Sequence, residues 1–504
     1  MKAESKNQVR KFISLANARY DVWVLTGYFL LVLITVVPGI VSFSNGGNDW
    51  SGGLRAFVIL NAVVSGSAFA FSAAMRPLTL SWSVFWMWTY VFLGLVPLYQ
   101  LATPDFPWHG QFTEHQVFIA LLVILAGCIA ASTGFVVAST LKRKYASKVN
   151  TAQVTVKPSF SRAKCTILAV LIGYFLVATL FIGLTRERLF QGRESFWERI
   201  GENSPIPGAG TLLFLAFAGS MVLPAVAIMC RKNGVAVPIP LIAITVVLGF
   251  VITNPFLGYR LYTGIFLVAT VGALLVRTRL ARLLPAGIML GLILIFPSLD
   301  ILRADGTGAT RLELSFPGTS LLLHDFDAFE MLLRAVHFNG AFVDGSPDAL
   351  GLFLAPLLRF VPYFSDFVYG FSSGSVVAEG TGMSWTNVSM PLWGEGYVVA
   401  GFAGVVFYMA ALGFLLGAIR QPFDSGRTAA APTSLLIDSA VAALLVIVLR
   451  GSLYSILGYV YFAIAVALVL YFVNSPAGRS RPRRDILARS DHPNGVPSTT
   501  PSPL

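Results

Sequence analysis

Apolar residues in this chain gather into long runs, and the polar residues gather between them. The runs lie at about 20–43, 55–75, 79–101, 115–139, 165–185, 209–230, 236–253, 261–276, 284–302, 392–418, 434–450 and 456–474. Most approach the roughly 20 residues that an α-helix needs to cross the hydrocarbon core of a bilayer. The pattern predicts an all-α polytopic membrane protein of about twelve transmembrane helices, with both termini cytoplasmic. The first run follows a basic arm, is long for a leader and lacks a small-residue cleavage site, so it reads as a retained signal anchor.

Two stretches between runs are more than connections. Residues 186–208 form a medium outer loop, and residues 303–391 form one too long to be structureless. Inside the long loop, Asp325–Phe338 has helical periodicity, with Asp325 as a candidate N-cap. Asp327, Glu330, Arg334 and His337 share one face, opposite Phe329, Leu332, Leu333 and Val336. A second apolar stretch, 349–360, is too short to span and reads as an interfacial or re-entrant helix. The long loop is therefore expected to be a structured cap on the outer membrane surface, part of a single membrane domain over 1–474. From Ser475 onward, Pro, Ser and Arg predominate, as in a disordered cytoplasmic tail.

Composition narrows the function classes. The 504 residues are 56% hydrophobic and 12% charged, with mean hydropathy +0.73, which excludes an ordinary soluble domain. The net charge of +12 does not point to nucleic acid, because it divides by side in the way that membrane orientation requires. No basic run is interleaved with stacking aromatics, and no Gly-rich phosphate loop is present, which removes ATP-driven transport by this chain. No internal repeat is visible. Cys128, Cys165 and Cys230 have no metal-ligand spacing and read as small apolar residues. Asp300 with Asp305, and Asp344 with Asp348, also lack ligand spacing, so neither a metal nor a cofactor is expected.

The kind of positive charge on each side is more informative than its amount. All nine lysines fall on the predicted inside, whereas the eleven basic residues predicted outside are all arginine. Arginine is a permanently charged planar fork suited to phosphate and carboxylate, and lysine is a hydrated point charge. An outer face with arginine and no lysine hints at a bound anion. An arginine-rich genome combined with the positive-inside rule accounts for it equally well.

Four local constellations could carry chemistry. The helix in the long loop offers carboxylates, His337 and Arg334 together, enough for acid/base work beside an anion. Its plain reading is an i,i+4 surface pair, Glu330 with Arg334, beside a solvated histidine. Asn254-Pro255-Phe256-Leu257-Gly258-Tyr259-Arg260 is a helix-breaking turn that lifts Arg260 to the height of lipid phosphates; the alternative is an arginine anchored at headgroups. Glu395, in Trp393-Gly394-Glu395-Gly396-Tyr397, lies about a turn into a span, facing either a cavity or the interface. Arg450, at the outer end of the eleventh run, has the same two readings.

With these features in place, the chain resembles the O-antigen and oligosaccharide repeat-unit polymerases, the Wzy-type family. The likeness covers most of the chain: many spans, both ends inside, a medium third outer loop and a long fifth one. Arg199 followed by Gly210 and Arg334 followed by Gly345 reproduce the family's Arg-X10-Gly spacing in those two loops, and Arg359 to Gly370 repeats it. The segment Ser389–Gly404 and the Asn254-Pro255…Arg260 turn are also similar. The resemblance implies a GT-C-like build in the bacterial inner membrane, with the active site facing the periplasm. There an undecaprenyl-diphosphate-linked glycan is moved onto a new lipid-linked repeat unit. Arg260, Arg334 and Arg359 would bind diphosphate, with Arg450 as a further candidate, and Arg199 would guide the growing chain. Asp327, His337 or Glu395 would be the base, unranked. The partners implied are the lipid-linked glycan, membrane lipids and a chain-length regulator, with no nucleic acid.

Two other readings stand beside this one. An O-antigen ligase would share the donor but hand the glycan to lipid A core; its expected histidine motif is missing around His324 and His337. A polysaccharide or lipid transporter would place ionisable groups near mid-bilayer and show repeat symmetry. Asp438 and Glu395 lie nearer the ends of their runs.

Overall fold

A computed structural model describes residues 2–45, 50–75, 78–104, 106–108, 110–149, 160–186, 209–255, 260–298, 319–322, 326–338, 347–358, 372–383, 389–420 and 432–474. Among these the regular structure is helical throughout, without a strand, and the chain is an α-helical membrane protein. Helices α1 (Lys2–Asn45), α2 (Gly52–Ala74), α3 (Leu80–Ala102), α4 (Glu114–Val149), α5 (Phe160–Thr185) and α6 (Ala209–Lys232) come first. Next are α7 (Ile239–Ile252), α8 (Arg260–Leu275) and α9 (284–298), then three short helices, α10 (Ala328–His337), α11 (Pro347–Leu358) and α12 (Ser373–Gly380). Helices α13 (Leu392–Ile419), α14 (Pro432–Arg450) and α15 (Leu453–Asn474) close the chain.

Seven of these, α1 to α6 and α13, contain stretches long and apolar enough to cross a bilayer. Helices α7 and α8 are shorter: at 1.5 Å per residue they cover about 21 and 24 Å, less than the ~30 Å hydrocarbon core. The turn between them is closed by side chains. Asn254 Nδ2 donates to the Val251 carbonyl at 2.7 Å, and Thr263 Oγ1 donates to the Thr253 carbonyl. Two other runs that read as continuous spans are interrupted. Helix α9 passes through a π turn at Gly291–Ile295, and α13 breaks at Ala400–Gly401, where Gly401 has φ +59°. That backbone conformation is easy for glycine alone.

The break in α13 is a reversal. In a straight helix Gly396 and Gly404 would stand about 12 Å apart, yet a Cβ on Gly396 would lie 2.8 Å from the Gly404 carbonyl oxygen. The indole of Trp393 and the side chain of Met409 both reach Gly127 of α4, which requires the first two turns of α13 to fold back along the rest. Beyond the break, α13 runs parallel to α4. Gly127 meets Met409, Gly413 meets the Ala131 carbonyl, and Gly417 lies 2.5 Å (as Cβ) from the Phe135 carbonyl. Small residues let two backbones touch where lipid supplies no hydrophobic drive for association.

The cap helix is sunk deeper than its amphipathic pattern suggests. Phe329, Leu332, Leu333 and Val336 are buried as expected, but so are Met331 and Ala335 on its flank. The flank joins a small separate core with Leu352, Val377, Met390 and Val398. Helix α10 thus lodges against α4, α13 and the π turn of α3 (Thr89–Leu95). Gln100 fixes the approach to it, its amide donating to the carbonyls of Leu321 and Phe326 at 3.3 and 3.1 Å. The helix begins at Ala328 with Asp327 in the N-cap position, not with Asp325, which lies outside the described residues.

Candidate functional site

Arg260 opens α8 and is 3% exposed. Its Nη1 donates to the Phe296 carbonyl at 3.0 Å, and its guanidinium lies 5.0 Å from the centre of the Phe296 ring. Phe296 follows the π turn directly, in the last described turn of α9. Arg450, the last residue of α14, approaches the same ring at 5.9 Å. Its position suits the negative end of the α14 dipole. Two guanidinium groups, 190 positions apart in sequence, therefore approach one aromatic ring.

Arg450 also reaches the cap. Its Nη2 stands 3.5 Å from Asp327 Oδ1, and Ser389 Oγ donates to Asp327 Oδ2 at 3.1 Å. Asp327 makes no side-chain capping bond to its own helix, because its carboxylate is turned to these partners. Helices α8, α9, α10 and α14 and the segment ahead of α13 thus converge on one group: Arg260, Phe296, Arg450, Asp327 and Ser389.

A second polar group lies further along α10. Arg334 donates to Glu330 Oε1 through Nε at 3.0 Å and Nη2 at 2.8 Å, and to Gln111 Oε1 at 3.3 Å. Its guanidinium covers the Phe112 ring at 5.8 Å. His337, exposed in the last turn, contacts Gln116 Nε2 through Nδ1 at 2.8 Å. The pair expected from i,i+4 spacing is present, extended by Gln111, just ahead of α4, while Gln116 in the first turn of α4 meets His337.

Glu395 sits in the folded-back arm of α13 and is 3% exposed. Its Oε1 accepts the Leu453 backbone N–H at 2.8 Å, so it caps the start of α15 from another helix. Ser452, at the same turn, accepts a hydrogen bond from Ser372 at 3.1 Å. Among the described residues Glu395 has no bond to Asp327, His337 or an arginine.

The structure therefore brings Arg260, Arg450 and Asp327 together, places Arg334 and His337 in a neighbouring group, and gives Glu395 a backbone-capping contact. Arg199 and Arg359 lie outside the described residues. Phe296, Ser389, Gln111 and Gln116 were not singled out from sequence. The first two carry no local signal, being one phenylalanine and one serine among many. Gln116 had one: Thr113 and Gln116 bond each other's backbone N–H at 3.3 and 2.8 Å, the reciprocal cap that Thr-x-x-Gln announces. No protein-family model, curated protein or solved structure matches the chain.

Proposed function

We propose that this chain is a glycosyltransferase that joins undecaprenyl-diphosphate-linked oligosaccharide repeat units into O-antigen or exopolysaccharide chains at the outer face of the bacterial inner membrane. The observation that carries the reading is the meeting of Arg260 and Arg450 on Phe296, with Asp327 and Ser389 held against Arg450. The end of the bundle that holds the cap is then the periplasmic end.

In this reading the donor's diphosphate lies against the two guanidinium groups. The bond between the sugar's anomeric carbon and the diphosphate oxygen breaks, and the electron pair leaves with the diphosphate. Two partly desolvated, delocalised cations stabilise the charge that develops there. The acceptor hydroxyl forms the new glycosidic bond and gives its proton to Asp327. Of the three base candidates, Asp327 alone adjoins the arginine pair; Ser389 orients its carboxylate.

The test is product length. The purified chain, given undecaprenyl-diphosphate-linked repeat units, is expected to yield a polymer ladder. Arg450→Ala and Arg260→Ala should stay folded and lose long products, and Arg450→Lys should restore only part, since the planar fork is lost. Normal chain-length distributions in both alanine variants overturn the proposal. A product capped on lipid A core identifies a ligase using the same site. The broken helix α13 favours a second reading, because transporters use discontinuous helices at their binding sites. Movement of a lipid-linked glycan across liposomes with no change in its length would establish that reading instead.

A further inference from the structure

We infer that the face formed by Glu330, Arg334 and His337 of α10 with Gln111 and Gln116 binds sugar hydroxyls, not phosphate. The inference rests on the glycosyltransferase reading and refines it, because sequence placed Arg334 among the diphosphate ligands.

Charge is the first argument. Arg334 directs both Nε and Nη2 at one oxygen of Glu330, so the pair is neutral as a unit. A phosphate arriving at Arg334 would meet the Glu330 carboxylate, or would have to displace it. Arg260 and Arg450 share an aromatic ring, and Asp327 Oδ1 stands 3.5 Å from Arg450 Nη2, further than Glu330 from Arg334. A diphosphate belongs with that pair.

Direction of hydrogen bonding is the second argument. Gln116 Oε1 is occupied by the Thr113 N–H at 2.8 Å, which fixes the orientation of its amide. The group facing His337 Nδ1 at 2.8 Å is therefore the amide nitrogen, which can only donate. Nδ1 accepts, and the proton of the neutral ring sits on Nε2. His337 is exposed, so it presents Nε2–H as a fixed donor. Gln111 is held in the same way, its amide donating to the Pro107 carbonyl at 3.0 Å and its oxygen accepting from Arg334.

What results is a row of set polarity: an acceptor at Glu330, donors at Arg334 and a donor at His337. Glu330 and His337 are two turns apart, about 10 Å along the axis, within the reach of two linked sugar rings. A hydroxyl both donates and accepts, so neighbouring hydroxyls on a sugar can satisfy such a row. A phosphate only accepts and leaves the carboxylate opposed. Asp327 is one turn before Glu330. A glycan whose reacting hydroxyl meets Asp327 would lie along α10 toward His337. In this arrangement His337 is a positioning residue.

The experiment uses two probes on the full chain in detergent, with binding measured by calorimetry. One probe is the lipid-free oligosaccharide released by mild acid from the host's lipid-linked repeat units; the other is inorganic pyrophosphate. Glu330→Gln and His337→Phe keep side-chain size, and thermal unfolding checks that each is folded. If His337→Phe unfolds, Glu330→Gln alone carries the test. Oligosaccharide affinity should fall about tenfold in each variant, the loss of one charge-assisted or well-fixed hydrogen bond. Pyrophosphate affinity should hold in both and fall in Arg450→Ala. The inference is overturned if the wild-type chain binds no oligosaccharide, if both variants bind it as wild type does, or if Glu330→Gln binds pyrophosphate more weakly. A wild-type chain that binds the oligosaccharide yet forms no polymer removes the polymerase reading and leaves this subsite standing. A chain that polymerises while both variants bind normally removes the subsite alone.

Discussion

The two ends of the helical bundle use charge differently. At the end away from the cap, ionised groups finish helices. Asp438 of α14, fully buried, accepts the backbone N–H groups of Leu80 and Ser81 at 3.0 and 3.2 Å and the Ser81 hydroxyl, capping α3 from another helix. Lys142 donates to the carbonyls of Ala418 and Arg420 at 2.9 and 2.8 Å, where α13 stops, and Lys232 donates to Leu274 and Val276, where α8 stops. The ion pair there, Arg282 with Asp21 at 2.5 Å, ties the chain ahead of α9 to α1, and the guanidinium groups of Arg279 and Arg282 both lie over the Tyr20 ring, so ring contacts are not confined to the cap end. At the cap end, Arg260 and Arg450 approach the Phe296 ring, Arg450 meets the Asp327 carboxylate from a distant segment, and Arg334 lies over Phe112 while it pairs with Glu330 on its own helix. Glu395 repeats the pattern of the other end, as does Glu114, which accepts the Ser51 backbone N–H at 3.4 Å at the start of α2.

The difference teaches that a buried charge in a membrane protein is not by itself a functional sign. A carboxylate that answers backbone N–H groups is replacing the water that lipid cannot supply. A cation that answers a ring and a distant side chain joins segments that the backbone alone does not bring together. The segregation of lysine and arginine visible in the sequence follows the same division. Compact ammonium groups suit the open carbonyls at helix C-termini, and guanidinium groups suit rings and forked anions.

Four substitutions sharpen or break this contrast. Arg450→Ala should produce the largest effect. It should lower polymer formation roughly a hundred- to a thousandfold, the range for losing one charge-stabilising donor, with little change in thermal unfolding. A large drop in melting temperature would instead make Arg450 another structural charge. Asp438→Ala should do the reverse, destabilising the fold by about 3 kcal/mol through unsatisfied N–H groups at the start of α3. Denaturation of the purified variant in detergent reads this directly. Glu395→Gln should cost about 1 kcal/mol and keep product formation near wild type, since an amide oxygen still accepts from Leu453. Loss of product without loss of stability would return Glu395 to the list of bases. Lys142→Ala should be the smallest, about 0.5 kcal/mol for a cation at a helix C-terminus, and without effect on product.

Much of the frame was legible from the run lengths, because spanning segments must be long and apolar whatever they do. The amphipathic helix at 328–337 was legible as well, since a spacing of 3.6 fixes which residues share a face. Legibility failed where one residue decided the geometry. Gly401 reverses α13, but in a chain with 46 glycines its left-handed backbone has no local signature. The π turns in α3 and α9 are likewise silent in composition. The site itself was legible in its parts and not in its assembly: Arg260, Arg450 and Asp327 could each be named from sequence. Phe296, the ring that Arg260 and Arg450 share, and Ser389, which steadies Asp327, are set by tertiary contacts that no local pattern encodes.

The central claim is that Arg260 and Arg450 act as one anion site. It is tested most directly by a double-mutant cycle in which pyrophosphate binding is measured for wild type, Arg260→Ala, Arg450→Ala and the double variant. If the two arginines hold one ligand, each single variant should lose most of the affinity, and the double variant should lose clearly less than the two losses combined, a coupling above ~0.5 kcal/mol. Losses that simply add, or affinity unchanged in either single variant, would contradict the account.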